Sequence, residues 1–220
     1  MSEKTGFTLQ MVPVDTCQIA GLQYMLYAAF GDLRDGYFVE IGAFDGVTYS
    51  NTFHLARAGW SGVYVEPIPA LYKRCVGNHK DHPGVQVLQE LVGDDTTPLS
   101  IYFDGVELYT TRKWLAKELS NGRKIAEIAS IRPVSLNYIL ESSSVPKHFD
   151  LLVIDVEGAE IDVLLSFNIA RWFPKMIIIE AHELHENPKL SRHAEMINDH
   201  METYLYTKIY SDSFNNVYVR

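Results

Sequence analysis

Carboxylates and glycines stand together at the ends of two apolar runs. Glu40-Ile41-Gly42-Ala43-Phe44-Asp45-Gly46 closes the run at 37–41, and Glu66 closes the next at 62–66. Gly42 and Gly46 permit a tight turn and close approach of the backbone to a ligand, at the edge where doubly wound sheets bind nucleotides. A carboxylate at Glu66 can accept both hydroxyls of a ribose. Three residues separate the two glycines, which departs from the G-x-G-x-x-G spacing of a pyrophosphate cradle. Glu40 and Asp45 would also repel a diphosphate. A cationic nucleoside suits them, and S-adenosylmethionine, with its adenosine, sulfonium and ammonium, meets each demand. Read alone, the same glycines could serve only a strand-to-helix turn, and Glu66 a solvated strand end.

A second group follows two later apolar runs. Asp155 comes after 149–154, and Glu180 and His182 come at the end of 176–180. If these runs are parallel strands, their ends share one rim. Were such a ligand to donate its methyl group, the nucleophile would have to be held close and in line, and a protonated one would gain from a base that takes its proton. Asp155 with His182 is the expected pair, with Glu180 and Glu157 beside it. Glu157 could instead cap backbone N–H groups at a helix mouth, and Glu160 reads as a helix-surface or salt-bridge residue. Asp155, Glu157 and Glu180 offer hard oxygen ligands to a divalent cation, but no dedicated metal spacing favours one. His182-x-x-His185 with His193 is not read as a transition-metal site, because no cysteine lies nearby; His185 and His193 read as loop and helix residues. His54 is expected to pack.

The elements that must position these groups alternate. Leu22, Met25, Leu26, Ala29 and Phe30 recur at helical spacing before Gly31, which predicts a helix ahead of the first strand. Residues 37–41, 62–66, 85–88, 149–154 and 176–180 are short and largely apolar, as strands covered on both faces are. Helical patterns lie between them at 50–58, 69–76 and 159–167, and Ser191 reads as the N-cap of another that runs to Met201. Strand alternating with helix predicts a parallel sheet with helices on both faces. Two β-rich runs, 204–210 and 216–219, predict an antiparallel hairpin at one edge. Residues 104–132 carry Tyr109, Arg112, Lys113, Trp114, Lys117, Arg123 and Lys124. They read as a lid or acceptor-binding insertion, or as an amphipathic helix with Trp114, Leu115 and Leu119 packed inward.

With 220 residues, 47% of them hydrophobic, the chain can bury one sizeable core. Asp and Glu number 28 against 19 Lys and Arg, a net charge of −9 that disfavours bulk nucleic-acid binding through many phosphate contacts. Cys17 and Cys75 are too few for a disulfide framework. With no apolar leader and no run near the ~18 apolar residues of a membrane span, the sequence reads as a cytoplasmic protein.

Three segments together resemble a known family. They are Phe38-Val39-Glu40-Ile41-Gly42-Ala43-Phe44-Asp45-Gly46-Val47-Thr48-Tyr49-Ser50-Asn51-Thr52, Gly59-Trp60-Ser61-Gly62-Val63-Tyr64-Val65-Glu66-Pro67, and the stretch from Asp150 that ends in Asp155-Val156-Glu157-Gly158-Ala159-Glu160. They look like the FkbM family of S-adenosylmethionine-dependent methyltransferases, from about Tyr37 to the C-terminus. The resemblance implies a class I methyltransferase (Rossmann-like) fold: a three-layer α/β sandwich on a mostly parallel seven-stranded sheet whose last strand is antiparallel. Residues 1–36 would form an N-terminal helical extension to a methyltransferase domain at 37–220. By position, Glu40, Gly42, Ala43, Asp45, Gly46 and Ser50 would belong to the methionine end. Glu66 with Pro67 would hold the ribose, Glu90 and Leu91 would flank the adenine, and Asp155 would border the cofactor. The acceptor implied is a hydroxyl of a saccharide or glycosylated small molecule. Two other readings stand beside this one. An RNA ribose 2′-O-methyltransferase would want a Lys-Asp-Lys-Glu tetrad and a basic groove, yet no Lys lies between Asp155 and Pro174. A non-catalytic module would keep the fold to hold a nucleoside or a protein partner.

Overall fold

A computed structural model describes residues 16–94, 96–106, 109–182 and 187–220. In chain order the first elements are α1 (Leu22–Phe30), β1 (Tyr37–Ile41), α2 (Phe53–Arg57), β2 (Ser61–Val65), α3 (Pro69–His79) and β3 (Val85–Leu88). A lobe follows, made of β4 (Leu99–Phe103), β5 (Tyr109–Thr110), α4 (Lys113–Leu119) and β6 (Ala126–Ile131). The chain then returns through α5 (Leu136–Ser142), β7 (Leu151–Ile154), α6 (Glu160–Leu165), α7 (Ile169–Trp172) and β8 (Met176–Glu180). It ends in α8 (Pro188–Thr203), β9 (Thr207–Ser211) and β10 (Asn215–Val219).

Seven strands form one sheet in the order β3-β2-β1-β7-β8-β10-β9. All pairs are parallel except those of β10, which runs antiparallel to β8 and β9. The expected hairpin is there, with its second strand inserted beside β8 and its first at the edge. Alternation explains why the central runs are apolar throughout. Val39, Ile41, Val63, Val65, Leu152, Ile154, Ile177 and Ile179 share one cluster with residues of α5, α6, α7 and α8. Phe38, Tyr64, Leu151, Val153, Met176 and Ile178 share the other with Leu22 and Leu26 of α1, Leu55 of α2 and Cys75 of α3. Each strand therefore needs apolar side chains on both faces. The described part of the N-terminal extension packs into this same core through α1. Among the described residues, no helix is long and apolar enough to cross a membrane.

Two expectations are corrected. The last long helix starts at Pro188, not after Ser191: Asn187 is its N-cap and accepts from Lys189 N–H at 2.9 Å. Proline suits the first helical position because its missing N–H would have no partner there. The insertion is also larger than 104–132. It begins at Leu99 and builds its own antiparallel sheet, β5-β4-β6, with α4 beside it. Leu115 on α4 is fully buried, while Trp114 and Leu119 are only partly so.

Candidate functional site

Strand register sets the site. Val65, Ile41, Ile154 and Ile179 are successive cross-strand neighbours on parallel strands. The residues that follow, Glu66, Gly42, Asp155 and Glu180, therefore emerge side by side along one edge. β10 returns to the same edge, with Asn215 opposite Glu180. The edge opens into a cleft of about 620 Å³, within the range of small-molecule sites.

Gly42 has φ +85°, and a Cβ there would lie 1.7 Å from the Asp155 carbonyl oxygen. The Gly42 and Ala43 N–H groups both donate to the Val65 carbonyl, at 2.9 and 3.1 Å. This turn aims the Phe44 N–H at Glu66 Oε2 (2.9 Å), while the Ile68 N–H reaches Oε1 (2.8 Å). Each oxygen of Glu66 so accepts one backbone donor and keeps acceptor capacity for a ligand. Burial pushes this carboxyl up to about 7 against those two hydrogen bonds. Glu40 is as deeply buried; its Oε2 accepts from Ser50 Oγ at 3.0 Å and from Thr52 Oγ1, and the Tyr64 hydroxyl stands 2.8 Å from Thr52 Oγ1. Burial, with the Asp155 charge, outweighs these donors and pushes Glu40 up to about 7. A bound cation would favour the ionised form of both.

Glu40, Gly42, Ala43, Glu66, Pro67, Glu90, Leu91 and Asp155 line the cleft. Asp45, Gly46 and Ser50 are not among the lining residues; they shape the loop behind it. Asp45 Oδ1 accepts from the Val47 and Thr48 N–H groups, and Oδ2 accepts from Thr48 Oγ1 and, at 2.7 Å, from Arg74. Burial would raise the Asp45 carboxyl, but these partners together hold it below its usual range. Gly46, at φ +75°, lies against Cys75 and His79, whose Nε2 donates to the Gly46 carbonyl at 2.9 Å. Ser50 acts through Glu40.

Asp155, Glu157, Glu180 and His182 all line the cleft as well. His182 Nε2 is 3.3 Å from Glu180 Oε1, and ligand atoms of Glu157, Glu180 and His182 all lie within 4.8 Å of one another. Burial and the Glu160 charge push Asp155 up to about 6, with Glu180 and His182 pulling the other way. Burial and the neighbouring acids raise Glu157 and Glu180 well above the carboxylate range. Three carboxylates this close, with Glu160 behind them, cannot all carry charge without protons or a cation among them. Of the two readings of Glu160 the salt bridge holds and the surface does not: it is buried, and its Oε2 is 3.0 Å from His193 Nε2. Its Oε1 accepts from the Val156 and Gly158 N–H groups, at 3.1 and 2.9 Å. The capping role weighed for Glu157 thus belongs to Glu160. Burial would raise its carboxyl, but the His193 partner and these donors hold it below its usual value. His54 is buried and is not among the lining residues. His185 lies outside the described residues.

The lobe covers the Glu66 half of the cleft, where Ile101 clusters with Ile68, Leu71 and Leu91, and Tyr109 packs against them. It is tied to the loop after β7: Thr110 Oγ1 donates to the Glu157 carbonyl at 2.6 Å, and Arg112 Nε to the Gly158 carbonyl at 3.2 Å. Three of the five lobe cations expected to meet an anionic acceptor have partners within the chain. Arg112 pairs with Asp162, Arg123 with Asp104, and Lys113 lies over the Tyr102 ring. Gln18, Tyr49 and Phe214 also line the cleft, and sequence reasoning missed them. Tyr49 and Phe214 are each 52% exposed. An aromatic residue inside the polar turn Ser211-Asp212-Ser213-Phe214-Asn215 was the one available signal.

Comparison with known proteins bears on this geometry. The family described as Methyltransferase FkbM domain matches residues 40–211. A candidate O-methyltransferase from Klebsiella pneumoniae superposes with a TM-score of 0.52 at 14% identity, over 96% of this chain and 84% of that one. The O-methyltransferase TomG from Streptomyces achromogenes, solved in complex with S-adenosylmethionine, gives 0.48 at 13% identity, over 90% and 77%. Among curated proteins no match was found. Sheet order and the Klebsiella likeness identify the fold as the class I methyltransferase, or Rossmann-like, sandwich.

Proposed function

From the premise that this chain belongs to the methyltransferase FkbM domain family, we propose that it transfers a methyl group from S-adenosylmethionine to an oxygen. The acceptor in this reading is a hydroxyl on a saccharide or a glycosylated small molecule. The observation that carries it is the Glu66 carboxylate, buried at the cleft and fixed by two backbone N–H groups, with acceptor capacity left on both oxygens. Bound S-adenosylmethionine supplies a methyl group on an electrophilic sulfonium. Glu66 accepts the ribose hydroxyls beside Pro67, Glu90 and Leu91 flank the base, and Glu40 faces the cationic methionine end. Gly42 and Ala43 let that end approach the backbone.

On the facing wall, Asp155 takes the proton of the acceptor hydroxyl, and His182 stands beside it with its ring oriented by Glu180 at 3.3 Å. Holding the reactants in line supplies much of the acceleration, and a placed base adds ~10²- to 10⁴-fold. Labelled S-adenosylmethionine offered with saccharide, lipid, polyketide and RNA pools tests the reading; label in the saccharide pool is expected. Asp155→Asn should lower turnover by about 10²-fold with cofactor affinity kept, and full turnover in that variant would remove Asp155 as the base. Cofactor binding without transfer to any pool would favour the non-catalytic module.

A further inference from the structure

We propose that Glu157, Glu180 and His182 bind one divalent first-row cation on the wall of the cleft. Their donor atoms already lie within 4.8 Å of one another. Three donors around one ion at ~2.1 Å stand ~3.0–3.6 Å apart, so closing the set needs side-chain shifts of about 1 Å. A second observation points the same way. Glu180 is 7% exposed, and its Oε2 accepts from no N–H or hydroxyl donor among the described residues; its side chain instead meets the Asp155 carboxyl, and its Oε1 the His182 ring, so a proton or a cation must stand between the acids. A buried carboxylate oxygen left without a donor is costly, and a metal ion satisfies it as a proton donor would. One imidazole with two carboxylates is a mixed nitrogen and oxygen set, which suits Mn²⁺ better than the all-oxygen preference of Ca²⁺.

The three donors leave coordination positions open toward the cleft that they line. The role of the ion rests on the methyl-transfer reading. It takes the acceptor hydroxyl oxygen as a further ligand and lowers the pKa of that hydroxyl. His182 is then a ligand, and the released proton goes to Asp155.

The experiment is calorimetric titration of Mn²⁺ into chelator-stripped full chain, alongside separate titration of S-adenosylhomocysteine. The expected result is one Mn²⁺ per chain, at least tenfold weaker binding in Glu157→Gln and in Glu180→Gln, and unchanged binding in the surface control Glu141→Gln. Circular dichroism establishes that each variant is folded. Because a variant could still fail to fold, the wild type carries its own test: Mn²⁺ should raise its thermal midpoint. The site is refuted if Mn²⁺ shows no saturable binding to wild type, or if both cluster variants bind as wild type does. Nucleoside binding without Mn²⁺ binding would sink the cation site alone. Mn²⁺ binding without nucleoside binding would leave the site standing and overturn the methyltransferase reading.

Discussion

Two buried glutamates in the same cleft differ in what an amide could replace. Both oxygens of Glu66 face backbone N–H donors, so a glutamine there would set its NH₂ against another donor. Glu40 accepts from the Ser50 and Thr52 hydroxyls through Oε2, with the Asn51 backbone N–H also on its carboxylate, and a glutamine oxygen can keep both hydroxyl bonds. The Glu40 carboxyl is raised from an ordinary 4.5 to about 7, first by burial. A group whose folded pKa lies above its unfolded value stabilises the fold fully below the unfolded value, and this contribution is lost as pH rises through the folded one. In the ligand-free protein Glu40 therefore costs on the order of 3 kcal/mol by pH 8. Glu40→Gln should be more stable than wild type at pH 8 and lose that advantage toward pH 5. His79, His82 and His200, whose lowered pKa values act in the opposite sense, are common to both proteins and cancel in the difference. Urea denaturation across that range measures it, and parallel pH profiles would refute the burial account. Glu66→Gln should instead destabilise, through its misplaced amide donor.

Elements fix these side chains through their ends, and the tightest end is the turn after β1. Gly42→Ala would put a methyl group 1.7 Å from the Asp155 carbonyl oxygen at φ +85°, whereas a methyl group added at Gly59, at φ +93°, would meet no atom within 4 Å. Left-handed strain alone costs about 1–3 kcal/mol. Gly59→Ala should lose no more than that, and Gly42→Ala distinctly more because β1 and β7 must separate. Equal losses by thermal or chemical denaturation would show that the strand ends yield. Sequence was a good guide at this scale wherever a strand is covered on both faces: the apolar runs at 37–41 and 176–180 coincide with β1 and β8. It was a poor guide in the lobe, because β6 is largely exposed and an exposed strand needs no apolar run. Asn187-Pro188 misled for a different reason, since the residues of a turn are also those of an N-cap followed by proline at the first helical position. The rim residues Glu66, Asp155, Glu180 and His182 were legible because parallel strands in register must release their C-terminal ends together. Tyr49 and Phe214 were not, since no periodicity marks a side chain that reaches the cleft from a turn.

Across the whole molecule, charge bears on the choice between acceptors. The chain carries a net charge of −9, and the cleft gathers Glu40, Glu66, Glu90, Asp155, Glu157 and Glu180 on its walls. Arg123, which also lines it, pairs with Asp104; behind the loop, Arg74 pairs with Asp45. Lys189 of α8 lies over the lobe's Trp114 ring, and Lys113 over Tyr102. Affinity for RNA comes chiefly from cations that neutralise phosphates and release counterions, so cations already held by acids and rings contribute little to it. A saccharide hydroxyl makes no such demand, and in the proposed reading the half-exposed rings of Tyr49 and Phe214 at the cleft would offer apolar faces to a sugar ring. Labelled single-stranded RNA should show no change in anisotropy up to about 10 μM protein at about 0.15 M salt. Binding whose logarithm falls with the logarithm of salt at a slope of several phosphate contacts would show that the pairs open to receive RNA. The ribose 2′-hydroxyl would then replace the saccharide as the acceptor to test first.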